Sequence, residues 1–287
     1  NEDFDSKINY LETILDIDDL NLVALSNLNE TYKTLSSEDN SYLSDQINIL
    51  DRWLKIEPGN RDANADKREA YSKLGKNPID VDRDRWLNES DNLDYGIDYL
   101  NSLLNEFDFK QIIDVGNKIL LVHKFSKIVL KMVGDAYLNI DDLDNALRMY
   151  EKISAIDSSD FDIAMDISQI FLTKGMYQEA YSWADKAVLK SAGDGKAYYN
   201  RAEVLNETIM FCKKEVLSCP DQTIYLIAIE DYEKAVKNGY SFESNKRLKF
   251  INEQFKESEF WFMCEEGNKI SVPKGLCYSW LERKIEK

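Results

Sequence analysis

Two consecutive stretches decide the fold: Lys127–Asp160, KIVLKMVGDAYLNIDDLDNALRMYEKISAIDSSD, and Phe161–Asp194, FDIAMDISQIFLTKGMYQEAYSWADKAVLKSAGD. One 34-residue pattern runs through both without a gap. Tyr137 is answered by Phe171, Leu143 by Tyr177, Ala146 by Ala180 and Ile153 by Ala187. A fixed period of this length marks stacked helix–turn–helix units, because each unit buries its apolar face only against its neighbours.

Working outward, the register holds on both sides. Gly96, Leu130, Ala164 and Tyr198 share one phase, and Leu103, Tyr137, Phe171 and Leu205 share another. The residue types follow from helix pairing, since two helices cross closely only where one presents a small side chain. Gly134, Ser168 and Ala202 hold that place on first helices, and Ala146, Ala180 and Ala228 hold it on second helices. Large side chains such as Tyr137, Tyr150 and Phe171 fill the space between units.

Towards the N-terminus the pattern loosens. The chain starts at Asn1 without Met, and Phe4–Asp16 reads as the second helix of a repeat whose first is missing, as in a processed or trimmed product. Leu22, Leu25, Leu28 and Tyr32 stripe one helix, Leu43, Ile47, Leu50 and Trp53 a second, and Ala63–Leu74 makes a third that stops at Gly75. Residues 76–92, with Pro78, lack a clean stripe and read as a connector anchored by Trp86 and Leu87.

Towards the C-terminus the markers Tyr225, Ala228 and Ala235 arrive late, which implies an insertion around 209–223. A longer helix and a bulge on a binding face are equally good accounts of it. Phe242–Phe255 reads as a capping helix with Leu248 and Ile251 inward. Phe260–Cys264, Ile270–Val272 and Leu276–Leu281 read as strand segments of a small hairpin-like tail. The expected division is thus 1–75, 76–92, 93–240 and 241–287.

The four cysteines, Cys212, Cys219, Cys264 and Cys277, all lie in the last quarter, and their spacing with a single histidine matches no zinc site. Two disulfides or four quiet thiols remain open, with the clustering favouring disulfides. A hairpin tail would bring Cys264 beside Cys277, and a bridge there would add about 3 kcal/mol on the chain-entropy model.

A net charge of −17 repels phosphate backbones and anionic membranes, so neither nucleic acid nor a membrane surface is the expected partner. No apolar run reaches the length of a membrane span. With His123 as the only histidine, paired His relays have no second member, and the sequence contains no Gly-rich phosphate loop or nucleophile elbow. Acidic groups such as Asp141-Asp142-Asp144 and Asp157-Asp160-Asp162 fall at turns and helix starts, where capping explains them. No catalytic residue, metal site or cofactor is expected.

The units from Leu93 to Gly239 resemble the tetratricopeptide repeat, and the ending Lys55-Ile56-Glu57-Pro58-Gly59-Asn60 resembles its usual close. The resemblance implies an all-α, right-handed α-solenoid whose first helices line a concave groove. Projected here, Lys131, Asp135, Met165, Gln169, Lys196, Tyr199, Asn200 and Glu203 would face that groove. It implies a non-catalytic scaffold or adaptor for a protein or peptide segment, with a chaperone-like holder of exported clients as the alternative. Co-chaperone repeats grip a terminal carboxylate with Lys, Arg and Asn; Lys131 and Lys196 match in part, but Asp135 and Met165 argue against such a clamp. Asp221–Ala228, Tyr232–Ala235 and the tail Pro273–Leu281 also resemble exported repeat proteins of Bacteroidota-type bacteria. That likeness implies a periplasmic or envelope location with oxidised cysteines, the alternative being cytoplasmic.

Overall fold

The computed structural model describes residues 4–254, 257–264, 270–271, 273–275 and 277–286. Fifteen α-helices and one two-stranded ribbon occur among them. The chain divides into two compact units, residues 1–132 and 133–287.

The N-terminal unit contains α1 (Phe4–Ile17), α2 (Leu22–Glu38), α3 (Leu43–Ile56), α4 (Arg61–Lys73), α5 (Ile79–Asn88), α6 (Leu93–Asn105) and α7 (Phe109–Val122). Each packs mainly on its sequence neighbours, as repeats must when no single core exists. Leu11, Leu15, Leu25, Leu28, Leu50 and Trp53 form one apolar cluster, and Leu43, Ile47 and Ala70 a second.

The stretch expected to be a connector holds a helix of its own, α5. Its stripe escaped notice because α5 buries a charge as well as apolar groups. Asp82 is 1% exposed and is held by Arg68 and by the Ser102 hydroxyl. Trp86 is buried as expected, but Leu87 is 58% exposed and anchors nothing. Gly96 shows why a small residue is needed there: a Cβ would sit 2.7 Å from Ile119 Cδ1.

The unit boundary falls inside α8 (Lys127–Asn139). Beyond it come α9 (Leu143–Ile156), α10 (Phe161–Thr173), α11 (Tyr177–Lys190), α12 (Gly195–Cys212) and α13 (Cys219–Lys237). The period is written into their ends. Asn92, Asp160 and Asp194 cap first helices in one phase, and Asp108 and Asp142 cap second helices in another. Phe107, Asp141 and Gly175 hold equivalent turn positions with φ of 57°, 60° and 71°, so the turn imposes a left-handed residue whether or not it is glycine.

Close pairing runs through the small residues. A Cβ on Gly134 would lie 2.9 Å from the Tyr150 ring, and Ser168 is fully buried with its hydroxyl donating to Ala180 O at 2.8 Å. Tyr150 is 1% exposed, and burial of an apolar body of that size contributes about 1.5–3 kcal/mol.

The extra residues near 209–223 lengthen two helices. α12 has 18 residues against 13 in α10, and α13 has 19 against 14 in α11. A capping box between Ser218 and Asp221 restarts the second of them, with Pro220 in its first turn, where a missing N–H costs nothing.

The tail departs from the strand reading. Phe260–Cys264 lies in and just after a helix, α15 (Glu257–Met263), which follows α14 (Ser241–Gln254). Residues 277–280 form a turn, while Leu276, Val272 and Phe255 fall outside the described residues. The ribbon pairs β1 (Ile270–Ser271) antiparallel with β2 (Ile285–Glu286) instead. Aromatic side chains in a helix produced the misreading: Phe260 and Trp261 are buried against Tyr225, Ile227 and Ile251 of the last core cluster. That tertiary burial overrides a local preference for strand.

The expected Cys264–Cys277 bridge is absent. Cys212 pairs with Cys277 and Cys219 with Cys264, at Cα separations of 6.3 and 5.5 Å. Because α15 replaces a strand, Cys264 is presented to the start of α13 and not to the 277–280 turn. Both bridges therefore tie the elongated α12–α13 pair to the tail.

Candidate functional site

Within the C-terminal unit, α10 and α12 present the same face side by side. Met165, Asp166, Gln169 and Thr173 on α10 stand in register with Tyr199, Asn200, Glu203 and Glu207 on α12. Steps of three and four residues keep each set on one helix face. Together with Leu172, Lys196 and Tyr240 they line an open cleft of about 560 Å³.

Six of the eight residues projected onto the groove meet here: Met165, Gln169, Lys196, Tyr199, Asn200 and Glu203. Lys131 and Asp135 do not line this cleft. Lys131 is exposed in the N-terminal unit. Asp135 accepts a hydrogen bond from the Tyr150 hydroxyl. Burial, with Asp135 as the next cause, pushes the Tyr150 phenol well above its ordinary range.

The six have different duties. Met165 is 6% exposed and packs with Ala164, Ala187 and Ala197, so it forms the floor. Glu203 is already engaged: Arg247 of α14 donates Nε and Nη2 to its two oxygens at 2.8 and 2.6 Å, and the Tyr232 hydroxyl donates at 2.7 Å. This bidentate pair fixes α12 to α13 and α14 and leaves little of the Glu203 charge for a ligand. Burial and then Glu203 drive the Tyr232 phenol far up, and its hydrogen bond to Glu203 holds the Arg247 guanidinium charged.

Lys196 reaches Asp162 at 3.3 Å across the helix pair, with both side chains more than half exposed, a contact that contributes little on its own. Tyr199 packs tilted against Tyr240 at 4.9 Å and edge-to-face against Tyr232 at 5.7 Å, so its ring is held in the cleft wall. Burial raises its phenol, Glu203 adds to the rise and Arg247 opposes it.

Asn200 is the exception. Its Oδ1 is shielded from solvent and has no hydrogen-bond partner. A shielded acceptor left unpaired costs about 1–3 kcal/mol.

The projection missed Asp166, Leu172, Thr173, Glu207 and Tyr240. Asp166, Thr173 and Glu207 were within reach, since they extend the found residues by the same three- and four-residue steps or by the repeat period. Tyr240 follows α13 and had no such signal. Among the described residues no cluster of three His, Cys, Asp or Glu side chains is placed to hold a metal ion. His123 caps α7, its ring Nε2 lying 2.6 Å from Asp91 O.

This register and pairing define an all-α solenoid of stacked helix pairs, the fold that tetratricopeptide repeats adopt. No family model matches the chain, and no curated protein sequence does either. Solved structures with a similar course include MamA, at 13% identity over 63% of this chain and 96% of that one, with a TM-score of 0.49. Pseudomonas aeruginosa PilF matches at 12% identity over 79% of this chain and 99% of its own, with a TM-score of 0.47. YrrB, described as a TPR protein with an unusual peptide-binding site, matches at 14% identity over 84% and 97%, with a TM-score of 0.41.

Proposed function

We propose that the protein is a non-catalytic scaffold or adaptor whose α10/α12 cleft holds an extended segment of another polypeptide. The observation that carries this reading is the open cleft between two in-register helix faces, with Gln169, Tyr199 and Asn200 in its lining. An extended chain offers N–H donors at regular intervals, and Asn and Gln side chains on a rigid helix face receive them.

The two disulfides support an oxidising compartment, such as the periplasm or envelope, as the place where the protein works. No helix among the described residues is long and apolar enough to cross a membrane. A second reading, a holder of exported chains, draws support from the exposed Phe211, Val216, Phe262 and Met263 around the bridged cysteines.

The test compares the intact protein with an Asn200→Ala/Gln169→Ala variant, both checked for helix content, as baits in the native host. A single stoichiometric partner that is lost with the variant is the expected result. A partner retained by the variant moves the site elsewhere. Suppression of aggregation of unrelated unfolded chains, equal in both proteins, replaces the adaptor with the holder.

A further inference from the structure

One stretch of the chain departs both from the overall charge and from the repeat register. Val115–Gly134 holds four lysines and no Asp or Glu, the longest acid-free run in a sequence with 53 acidic residues. It covers the end of α7, a turn and the start of α8. At this corner, which lies in the N-terminal unit, Leu121, Val122, Phe125 and Ile128 are each more than half exposed. Lys118, Lys124, Lys127 and Lys131 are interleaved with them.

The register shows that the fold does not ask for these side chains. Phe125 stands where the repeats on either side have Asp91 and Ser159, Ile128 where they have Asp94 and Asp162, and Lys124 where they have Ser90 and Ser158. Those repeats start their helices in the same phase, capped by Asn92 and Asp160, and Ser126 Oγ accepts the Val129 N–H at 3.4 Å in that phase here. The corner is held in place: the Ser126 N–H donates to His123 O at 3.0 Å, and the His123 ring lies 2.6 Å from Asp91 O. A fixed corner presents its apolar side chains without a further ordering cost.

The charge of −17 opposes an anionic surface for the protein as a whole. Exposed charges act over only about 8 Å at physiological salt, however, so the local run decides what this corner meets. The preceding turn keeps Asp91 and Asp94, and Lys118 bonds Asp114 at 2.7 Å further back on α7. The positive character is thus concentrated at the corner itself, where Lys124 is exposed between Val122 and Phe125. A lipid headgroup layer matches this make-up, because apolar side chains enter the acyl boundary while lysine stems carry their ammonium groups to phosphate. The apolar groups stand on an outward corner, and a bilayer needs no matching pocket to receive them.

We infer that the α7–α8 corner docks the protein peripherally on an anionic lipid surface, with Phe125 and Ile128 entering the interface and Lys124 meeting phosphate. The α10/α12 cleft takes no part in this contact.

The experiment is flotation of the full-length protein with vesicles of phosphatidylcholine containing phosphatidylglycerol, and with vesicles of phosphatidylcholine alone. A Phe125→Ser/Ile128→Asp variant takes side chains that the next repeat already carries in the same register, and Lys124→Ser removes one charge. Leu189→Ser alters an equally exposed apolar group in the other unit. Wild type and Leu189→Ser are expected to float with the anionic vesicles, less with the neutral ones, and less as salt rises. The double variant stays unbound with unchanged helix content, and Lys124→Ser binds about fivefold more weakly. Wild-type protein that floats with neither lipid overturns the inference. Binding that survives in the double variant, or that is equal for both lipids, overturns it as well. A soluble protein captured by wild type and lost with the double variant, without vesicle binding, replaces the lipid surface with a protein interface.

Discussion

The two units solve the same problem with different means. In the N-terminal unit, helices of uneven length and spacing bury small separate clusters and carry no cysteine. In the C-terminal unit, the longest helices, both disulfides and a two-arginine clamp converge on one cluster running from Ala202 to Ile285. Asp231, fully buried, receives Arg201 from α12 at 2.8 Å and Arg283 from the tail at 2.6 Å. The Tyr278 hydroxyl donates to Asp221 at the start of α13. A solenoid end has no next repeat to cover it. Here a stapled tail replaces the missing neighbour, and the candidate cleft lies one repeat further in.

The sharpest way to break the contrast is to remove the staples. Replacing Cys212 and Cys277 by Ser, or Cys219 and Cys264 by Ser, is expected to cost about 4 kcal/mol for either pair alone on the chain-entropy model. Peptide-resolved hydrogen exchange should show the loss in α12–α15 and leave α1–α7 protected. Equal loss in both units would mean that the tail does not stabilise its own unit selectively.

Next in size is the buried carboxylate of each unit. Asp231→Ala removes the buried carboxylate that Arg201 and Arg283 share, leaving each only its outer partner, Asp185 or Glu230, and is expected to cost about 3 kcal/mol. Asp82→Ala removes the partner of Arg68 and Ser102 and belongs to the same class. Denaturant titration should show the first loosening the tail towards proteolysis and the second leaving it resistant.

The smallest effect is alkaline. Tyr150, Tyr232 and Tyr278 all lie in the C-terminal unit and have phenols raised far above 10, with burial the leading cause in each. An unfolded tyrosine ionises near 10 while these stay protonated, so the stability they contribute is complete below that pH. It then falls as the pH rises, by up to about 1.4 kcal/mol per pH unit for each tyrosine. Tyr232→Phe should make the decline shallower, measured as denaturant midpoints between pH 9 and 11; an unchanged slope would contradict the assignment.

Much of this fold is legible in the sequence. Caps at Asp142 and Asp160 and small residues at Gly134, Ser168 and Ala202 act locally, so their spacing reveals them. The α10/α12 face was legible for the same reason, down to six of its lining residues. What escaped depends on contacts far apart in sequence. The helix at Glu257–Met263 exists because Phe260 and Trp261 are buried by α13 and its neighbours, and its presence changed which cysteines meet. Glu203 reads as a recognition charge from its register alone, but Arg247, supplied by a helix outside the repeat register, holds it. Asn200 shows the reverse case, since its missing partner is visible only once the neighbours are in place.

The most direct test is the side-chain amide of Asn200, followed by NMR as a peptide from the captured partner is titrated into labelled protein. Binding in the α10/α12 cleft predicts that this amide and those of Gln169 and the Lys196 backbone shift together and saturate with the peptide. Shifts confined to α1–α7 or to the exposed face around Phe211, with Asn200 unmoved at saturation, would contradict it.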